Sequence, residues 1–355
     1  MALFVAANDT IAAMNHASNQ VRRRINSPRV AIVGATGAVG TELLALLEER
    51  NFPLSGLRLY SSARSAGRKV QFRGEELTVE ELPENGDLEV DIVFSSAGGS
   101  LSKAHAWDWA SHGAAVIDNT SAWRLDQRVP LVVPEINPEA ALEHEGIIAN
   151  PNCSTIIALM ALAPLHRAFT LTRATVATYQ AVSGAGAAGI TELEQQSRDV
   201  LEGREPVPSL FSHPIAFNLF SHDSSVGEDG YNDEERKLVL ESRKILSAPD
   251  LKVSATCIRV PVFRAHSEAI HAEFARDVTV AEAREVLEQA AGVDIVDEPA
   301  SNTFPMPRAV SGRDNVQVGR LRQDSSNPGG LALFVAGDQV RKGAALNAVQ
   351  IAELL

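Results

Sequence analysis

The stretch that most constrains the fold is R-V-A-I-V, then G-A-T-G-A-V-G, then T-E-L-L-A-L-L-E-E-R, residues 29–50. Four apolar residues from Val30 to Val33 suit a strand buried on both faces, and the run after Gly40 has the apolar spacing of an amphipathic helix. Strand, glycine loop and helix in that order open a βαβ unit. Glycines let the loop turn tightly and bring its backbone close to a pyrophosphate, which then rests on the positive end of the helix. The glycines fall as G-x-x-G-x-x-G at Gly34, Gly37 and Gly40 rather than as G-x-G-x-x-G. A plain tight turn needs the glycines alone; with the flanking strand and helix the reading is a dinucleotide site built on Gly34, Thr36, Gly37, Ala38 and Val39.

Residues 57–60 read as the second strand and lead into S-S-A-R-S-A-G-R-K. A site built for NAD places an acidic residue here to accept the ribose 2′-hydroxyl, and this segment has none. Ser61, Ser62, Arg64 and Ser65 offer hydroxyls and a guanidinium suited to a 2′-phosphate, so NADP(H) is the expected cofactor. A solvated loop with two chance arginines has the same composition. A strand over residues 90–94 ends in S-S-A-G-G-S, where small residues, Ser96 and Gly98 among them, mark a strand end facing ligand. A helix over residues 101–112, a strand over 115–118 and the loop N-T-S-A-W-R follow. Arg124 closes that loop, either as a cation near the strand ends for a phosphate or carboxylate, or as an ordinary surface arginine. Alternating strands and helices through Pro151 describe an open, mainly parallel sheet with its crevice at the strand C-termini.

Charge limits what that crevice serves. With 45 Asp and Glu against 32 Lys and Arg the net charge is -13, which argues against nucleic acid and anionic membranes as partners. An anionic small-molecule substrate must therefore be held by local cations. Two cysteines, Cys153 and Cys257, make no disulfide framework, and no Cys/His cluster offers a metal site, so a reducing compartment, the cytoplasm, is expected. No apolar run approaches the ~20 residues of a membrane span. Residues 1–27 precede the first strand, and Arg22, Arg23 and Arg24 follow their apolar part instead of preceding it as in a secretory signal. A short helical or disordered extension is expected there.

The second constraint is G-I-I-A-N-P-N-C-S-T, residues 146–155, which runs into an apolar segment ending at Phe169. Ile147 to Ala149 look like the end of a buried strand, Asn150-Pro151 a turn, and Ser154-Thr155 a helix start, so Cys153 falls at a helix N-terminus. Free N–H groups and the helix dipole there favour an anion and are expected to lower the thiol below its ordinary value. A thiolate attacks a carbonyl carbon, and the same N–H groups can hold the resulting oxyanion. A lone cysteine as a small buried hydrophobe is the plainer alternative.

Pro164 is expected to kink or interrupt the helix, after which the pattern changes. Residues 174–182 alternate like an antiparallel strand, S-G-A-G-A-A-G makes a second glycine loop, and residues 190–202 are helical. Residues 203–230 form a loop of a length that tends to be functional. On the charged helix over residues 233–246, Glu234 and Lys237 share one face, an arrangement that by itself is an ordinary surface ion pair. Residues 251–274 read as one long strand carrying Arg259 and His266 seven positions apart. A regular strand would send them to opposite faces; a bend at Pro261 would bring both toward one site. A helix over 279–291, strands over 315–322 and 331–335, and a helix over 341–355 complete the chain.

G-A-T-G-A-V-G, S-A-R-S-A-G, S-A-G-G-S, N-P-N-C-S-T, T-Y-Q-A-V-S-G-A-G, the E-x-x-K helix, R-V-P-V-x-x-x-H-S-E and K-G-A-A-L-N-A-V-Q-I-A-E stand in the order found in aspartate-semialdehyde dehydrogenases. From residue 29 onward the chain resembles that family. The resemblance implies Cys153 as nucleophile, His266 as acid/base and Gln180 as the residue orienting the acyl intermediate. It implies Arg259 for the substrate carboxylate, Glu234 for its amino group, and Arg124, Asn152 and Lys237 for phosphate. The glycine loop with Ser61, Ser62, Arg64, Ser96 and Gly98 would hold NADP(H), joined by Ser183, Gly184 and Gln339. The implied fold is α/β: a Rossmann-like NADP-binding domain with a mainly parallel sheet, residues 28–152 plus 340–355, and an α+β catalytic and dimerisation domain with a mixed or antiparallel sheet, residues 153–339. A homodimer is implied.

The implied reaction is reductive dephosphorylation of L-aspartyl-4-phosphate to L-aspartate 4-semialdehyde with NADPH, reversible and dependent on inorganic phosphate. It feeds lysine (through diaminopimelate), threonine, isoleucine and methionine synthesis. Two rivals differ in kind. N-acetyl-γ-glutamyl-phosphate reductase runs the same chemistry on a longer, acylated substrate, but its motif usually carries Gly where Asn152 stands, and an acylated amine has little use for Glu234. A non-catalytic NADP-binding sensor would bind cofactor without turnover, and the joint presence of Cys153, His266, Gln180 and Arg259 argues against it.

Overall fold

A computed structural model describes residues 26–83 and 86–355, so the expected extension over residues 1–27 lies, apart from Asn26 and Ser27, outside the described residues. The apolar run that opens the fold is β1 (Arg29–Val33), buried from Val30 onward. It pairs in parallel with β2 (Gly56–Ser61) and with β5 (Ile92–Ser95), and β6 (Ala115–Asp118) and β7 (Ile147–Ala149) extend the sheet in parallel beyond β5. Helices α1 (Ala38–Glu49) and α2 (Gly99–Ser111) connect these strands.

Two strands of this sheet went unread in the sequence. β3 (Lys69–Phe72) and β4 (Glu75–Glu81) form an antiparallel hairpin whose second strand pairs in parallel with β2, giving the order β3-β4-β2-β1-β5-β6-β7. Of the seven residues of β4 only Val79 is buried, so its apolar signal is weak. Charged side chains are what an exposed sheet edge tolerates.

The second sheet is mixed. β8 (Leu171–Gln180), β9 (Phe220–Ser221), β10 (Lys252–Arg259), β11 (His266–Phe274), β12 (Val293–Ile295), β13 (Val316–Asp324) and β14 (Asn327–Gly337) lie in the order β12-β13-β14-β11-β8-β10-β9. The single strand expected over residues 251–274 is therefore two. β10 runs parallel to β8 on one side, β11 runs antiparallel on the other, and the intervening residues cross the end of β8. Pro261 lies in that crossing, where a missing N–H costs no ladder bond.

Between the sheets runs α3 (Cys153–Phe169), whose residues from Ser154 to Ala163 are all buried. It stays helical through Pro164, which was expected to kink or interrupt it; the flanking Ala161, Leu162, Ala163 and Leu165 are buried, and their packing outweighs one lost backbone bond. One apolar core joins Val33, Val93 and Val116 of the parallel sheet, through Ile157 and Leu159 of α3, to Ile270 and Leu333 of the mixed sheet. The helices α4 (Ala187–Leu201), α5 (Asp233–Ile245), α6 (Val280–Glu288) and α7 (Pro307–Val310) belong to this second half. The chain ends in a π-helical turn (Arg341–Ala345) and α8 (Leu346–Glu353), which returns to the first half: Ala348 and Val349 share a core with Ile32 and Leu43, and Arg50 pairs with Glu353 at 2.7 Å. Among the described residues no helix is long and apolar enough to cross a membrane.

Candidate active site

Strand β7 delivers the chain to the turn Asn150-Pro151, and α3 begins at Cys153 itself, one residue earlier than Ser154-Thr155 suggested. The cap is Asn152, whose Oδ1 accepts from the Thr155 N–H at 3.1 Å. Such a cap satisfies one of the free N–H groups of the first turn and fixes where the helix starts. Cys153 lines a cavity of about 460 Å³ at the C-terminal edge of the parallel sheet. Gln180, His266, Arg259, Glu234, Lys237, Arg124 and Asn152 line the same cavity, as do Gly37, Ala38, Val39, Ser96, Ser183, Gly184 and Gln339. Gly34, Thr36, Ser61, Ser62, Arg64 and Gly98 are not in its wall.

Strand register explains how residues so far apart in sequence meet. Arg259 is the direct partner of Gln180 across the parallel β10–β8 pair, and Ser267 is the partner of Tyr179 across β11–β8. Gln180, Arg259 and His266 therefore sit at one end of three adjacent strands. The crossing segment is pinned by Val260 N–H to Gln180 O at 3.0 Å and Val182 N–H to Val262 O at 2.9 Å.

The electrostatics correct one expectation. Burial pushes the Cys153 thiol up to about 12, the Glu234 carboxylate adds to the rise, and Arg124, Arg259 and the backbone at Ser154 pull against it without prevailing. Cys153 faces the cavity with part of its surface, and the balance of these groups favours its thiol form. Burial works against ionising Glu234 as well, but Lys237, His222 and Asn152 overcome it and hold the carboxyl down to about 2. Glu234 Oε1 accepts from Asn152 Nδ2 at 2.7 Å and Gln180 Nε2 at 3.1 Å, and Oε2 from Lys237 Nζ at 3.0 Å. Asn152 and Gln180 thus spend their amides on Glu234.

His266 is fully buried, and burial, followed by the Arg259 charge, lowers it to about 3. Its Nδ1 accepts from the Ala181 N–H at 3.0 Å, which leaves the neutral ring protonated at Nε2, an atom with no hydrogen-bond partner among the described residues. A second proton on Nδ1 would point at that amide hydrogen. The ring is therefore a standing hydrogen-bond donor to whatever occupies the cavity. A side chain at Gly184 would place its Cβ 3.3 Å from this Nε2 and 3.1 Å from Arg259 Nη1, so the glycine keeps the approach to both open. Arg259 donates Nη1 to Ala181 O and sets Nη2 against His222 Nε2, with Asp223 Oδ1 3.6 Å from the same Nη2, and its buried Nε has no hydrogen-bond partner among the described residues.

The nucleotide side has the features a dinucleotide requires. Gly37 caps α1 without any side-chain bond, leaving the first-turn N–H groups available to an anion. A Cβ at Gly34 would lie 2.6 Å from Ser96 O, and one at Gly40 2.2 Å from Gly34 O, so both glycines are needed for the loop to lie flat on the strand ends. Thr36 Oγ1 and Ser61 Oγ are 2.8 Å apart, tying the loop to the end of β2. Among the described residues no group of three or more His, Cys, Asp or Glu side chains is placed to hold a metal ion.

Sequence reasoning missed three contributors. His222, in the long loop over residues 203–230, approaches Arg259 Nη2 at 2.8 Å, and burial lowers it toward the neutral form that can accept that bond. Glu241, buried on α5, accepts from Arg124 Nη1 at 3.1 Å and from the Asn152 N–H at 2.6 Å. Gly343, in the π-helical turn, lies so close to Cys153 that a Cβ there would stand 2.9 Å from the cysteine Cβ. The loop's length was a signal for His222, and Gly343 stands in the string K-G-A-A-L-N-A-V-Q-I-A-E; nothing in the sequence marked Glu241.

Residues 29–144 match the model of the semialdehyde dehydrogenase NAD binding domain, and residues 162–342 that of the semialdehyde dehydrogenase dimerisation domain. The chain is 54% identical to the aspartate-semialdehyde dehydrogenase of Synechocystis over 92% of its length and 97% of that protein. The enzyme of the same name from Bacillus subtilis is 46% identical, over 92% of this chain and 96% of that one. Among solved structures, aspartate semialdehyde dehydrogenase II from Vibrio cholerae complexed with ASA superposes with a TM-score of 0.89 at 45% identity, covering 93% of this chain and 98% of that one. Aspartate semialdehyde dehydrogenase with NADP from Candida albicans reaches 0.72 at 27% identity, covering 93% and 98%.

Proposed function

The chain belongs to the aspartate-semialdehyde dehydrogenase family, and from that premise we propose that it reduces L-aspartyl-4-phosphate to L-aspartate 4-semialdehyde with NADPH, reversibly and with inorganic phosphate as the other product. The observation that carries this reading is the cavity itself: one thiol at a helix start, one neutral imidazole donor, two arginines, and a Glu–Lys pair, all facing the same space. Residues 28–152 with 340–355 form the nucleotide domain in this reading, and residues 153–339 the catalytic one.

Arg259 takes the substrate α-carboxylate, for which its partnerless Nε and planar fork are suited, and Glu234 faces the α-amino group. An ionised Glu234 has no partner in an acylated amine, which disfavours the N-acetylglutamyl substrate. Arg124 and Lys237 hold the phosphoryl group, and Asn152 fixes the turn beside them. Cys153 attacks the acyl carbon; its S–C bond forms as the C–O bond to phosphate breaks, and the thiol proton leaves with the phosphate. The product is a thioester on Cys153. The reduced nicotinamide, when bound, supplies the hydride that this thioester accepts. His266 Nε2–H donates to the oxygen of the reacting carbon as it becomes an alkoxide, and collapse of that alkoxide expels the Cys153 thiolate and frees the aldehyde. The thiolate regains a proton from solvent, so one proton is consumed per turnover.

The nucleotide lies over Gly34, Thr36, Gly37, Ala38 and Val39 and between Ser96, Gly98, Ser183, Gly184 and Gln339. Ser61, Ser62 and Arg64 take a 2′-phosphate, supported by the absence of any acidic residue from Gly56 to Arg68. A homodimer through the second half is supported by the exposed apolar residues Tyr179, Phe217, Leu219 and Phe263 it presents. The test is NADP reduction by the purified protein with L-aspartate semialdehyde or N-acetylglutamate semialdehyde, each with and without phosphate. Phosphate-dependent turnover of the first aldehyde alone is expected. Preference for the acetylated aldehyde, or cofactor binding without turnover of either, would overturn the reading.

A further inference from the structure

Four of the charged residues of helix α5, Glu234, Lys237, Glu241 and Lys244, follow one another at spacings of three, four and three, which places them on one stripe of the helix. The first two face the cavity already described. The other two do not reach substrate, yet both are engaged with the segment that carries Arg124. Glu241 is 1% exposed. It accepts from Arg124 Nη1 at 3.1 Å through Oε1, and from the Asn152 N–H at 2.6 Å through Oε2. Lys244 Nζ donates to the carbonyls of Arg124, Asp126 and Val129 at 2.9, 2.8 and 2.8 Å. One side chain thus fixes the guanidinium and the other the backbone beneath it.

We propose that Glu241 and Lys244 are positioning residues that clamp Arg124, a residue of the nucleotide-binding half, into the phosphate site of the catalytic half. Arg124 needs such a clamp because its remaining tethers lie within its own half: Nε on Asn150 O at 2.9 Å and Nη2 on Asn119 O at 3.1 Å. With Nη1 on Glu241, three of its five N–H groups are spent and two stay free for phosphate oxygens. Orientation is what the acid supplies. A carboxylate beside the guanidinium lowers the local positive potential, so its presence works against simple anion affinity and in favour of a fixed fork. The second contact of Glu241, on the amide just before Cys153, ties the position of the nucleophile to the same acid.

The inference rests on the phosphate role proposed above for Arg124, and the experiment separates the two. Phosphate kcat/KM is measured in the aldehyde-oxidising direction for Arg124→Ala, Glu241→Gln, Lys244→Gln and the two double variants with Arg124→Ala. Rates are normalised to the amplitude of the hydride-transfer burst seen without phosphate, so loss of folded enzyme is not counted as loss of positioning. Glu241→Gln sets an amide N–H₂ against one of two donors, and Lys244→Gln leaves three carbonyls with at most two hydrogens. Each is expected to lower phosphate kcat/KM at least tenfold, and each is expected to change it less than twofold once Arg124 is alanine, since residues acting through a shared partner are not additive. If the single variants lower only the melting temperature, or if their effects multiply in full with that of Arg124→Ala, the clamp is rejected. If Arg124→Ala itself leaves phosphate kcat/KM intact, the phosphate role of Arg124 falls and the clamp with it. Two chemically unlike variants keep the outcome readable should one fail to fold.

Discussion

Burial and the Glu234 charge hold the Cys153 thiol up at about 12, and in the proposed reaction the acyl phosphate takes its proton on the leaving group. The helix start and the arginines do favour the anion, as the sequence suggests, but burial and the Glu234 charge weigh more. The position of Cys153 was legible from N-P-N-C-S-T because turn and helix-start chemistry is local; its raised pKa was not, because it comes first from burial by elements distant in sequence and then from Glu234. A pH prediction follows with a definite sign. Alkylation depends on the thiolate fraction, which rises tenfold per pH unit below the pKa. In the unliganded protein the iodoacetamide rate at Cys153 should climb about a hundredfold from pH 7 to pH 9 without levelling, as measured by labelling and mass spectrometry. A plateau reached by pH 8 would mean that the site stabilises the thiolate after all.

At the scale of elements, the catalytic geometry depends on pieces whose sequence signals are opposite in quality. β1 and α1 were legible because burial on both faces and helical spacing leave strong periodic patterns. The pair β10 and β11 was read as one strand because both ends are apolar and only Pro261 interrupts; that they flank β8 is decided by sheet pairing, which spacing along the chain does not encode. The π-helical turn before α8 was read as ordinary helix for a similar reason. Such turns recur at functional sites, and here Gly343 packs directly on Cys153. Alanine at that position would put a Cβ 2.9 Å from Cys153 Cβ and 3.3 Å from its Cα, so either the start of α3 or the turn itself must shift. Displacements of this size cost catalysis up to about a hundredfold. For Gly343→Ala we expect kcat at least tenfold lower with NADP binding retained, checked by steady-state kinetics and a fluorescence titration. A kcat within twofold of the parent would show that the contact relaxes without moving the sulfur.

For the molecule as a whole, the site is composite. The glycine loop, Ser96 and Arg124 come from the parallel half, and Gln180, Glu234, Arg259 and His266 from the mixed half, with α3 joining the two cores. The first half was almost fully legible apart from its charged edge hairpin. In the second, the motif residues could be named, but Glu241 and His222 could not, since a buried acid on a charged helix and a histidine in a long loop look like surface in one dimension. In the proposed reaction both halves serve one covalent intermediate on Cys153. The direct measurement is a rapid-mixing experiment with L-aspartate semialdehyde and NADP in the absence of phosphate, followed by intact-mass analysis of the quenched protein. One equivalent of NADPH per active site should form in a burst, with an acyl adduct on Cys153 that phosphate then discharges; steady turnover without an adduct, or an adduct on any other residue, would contradict the account.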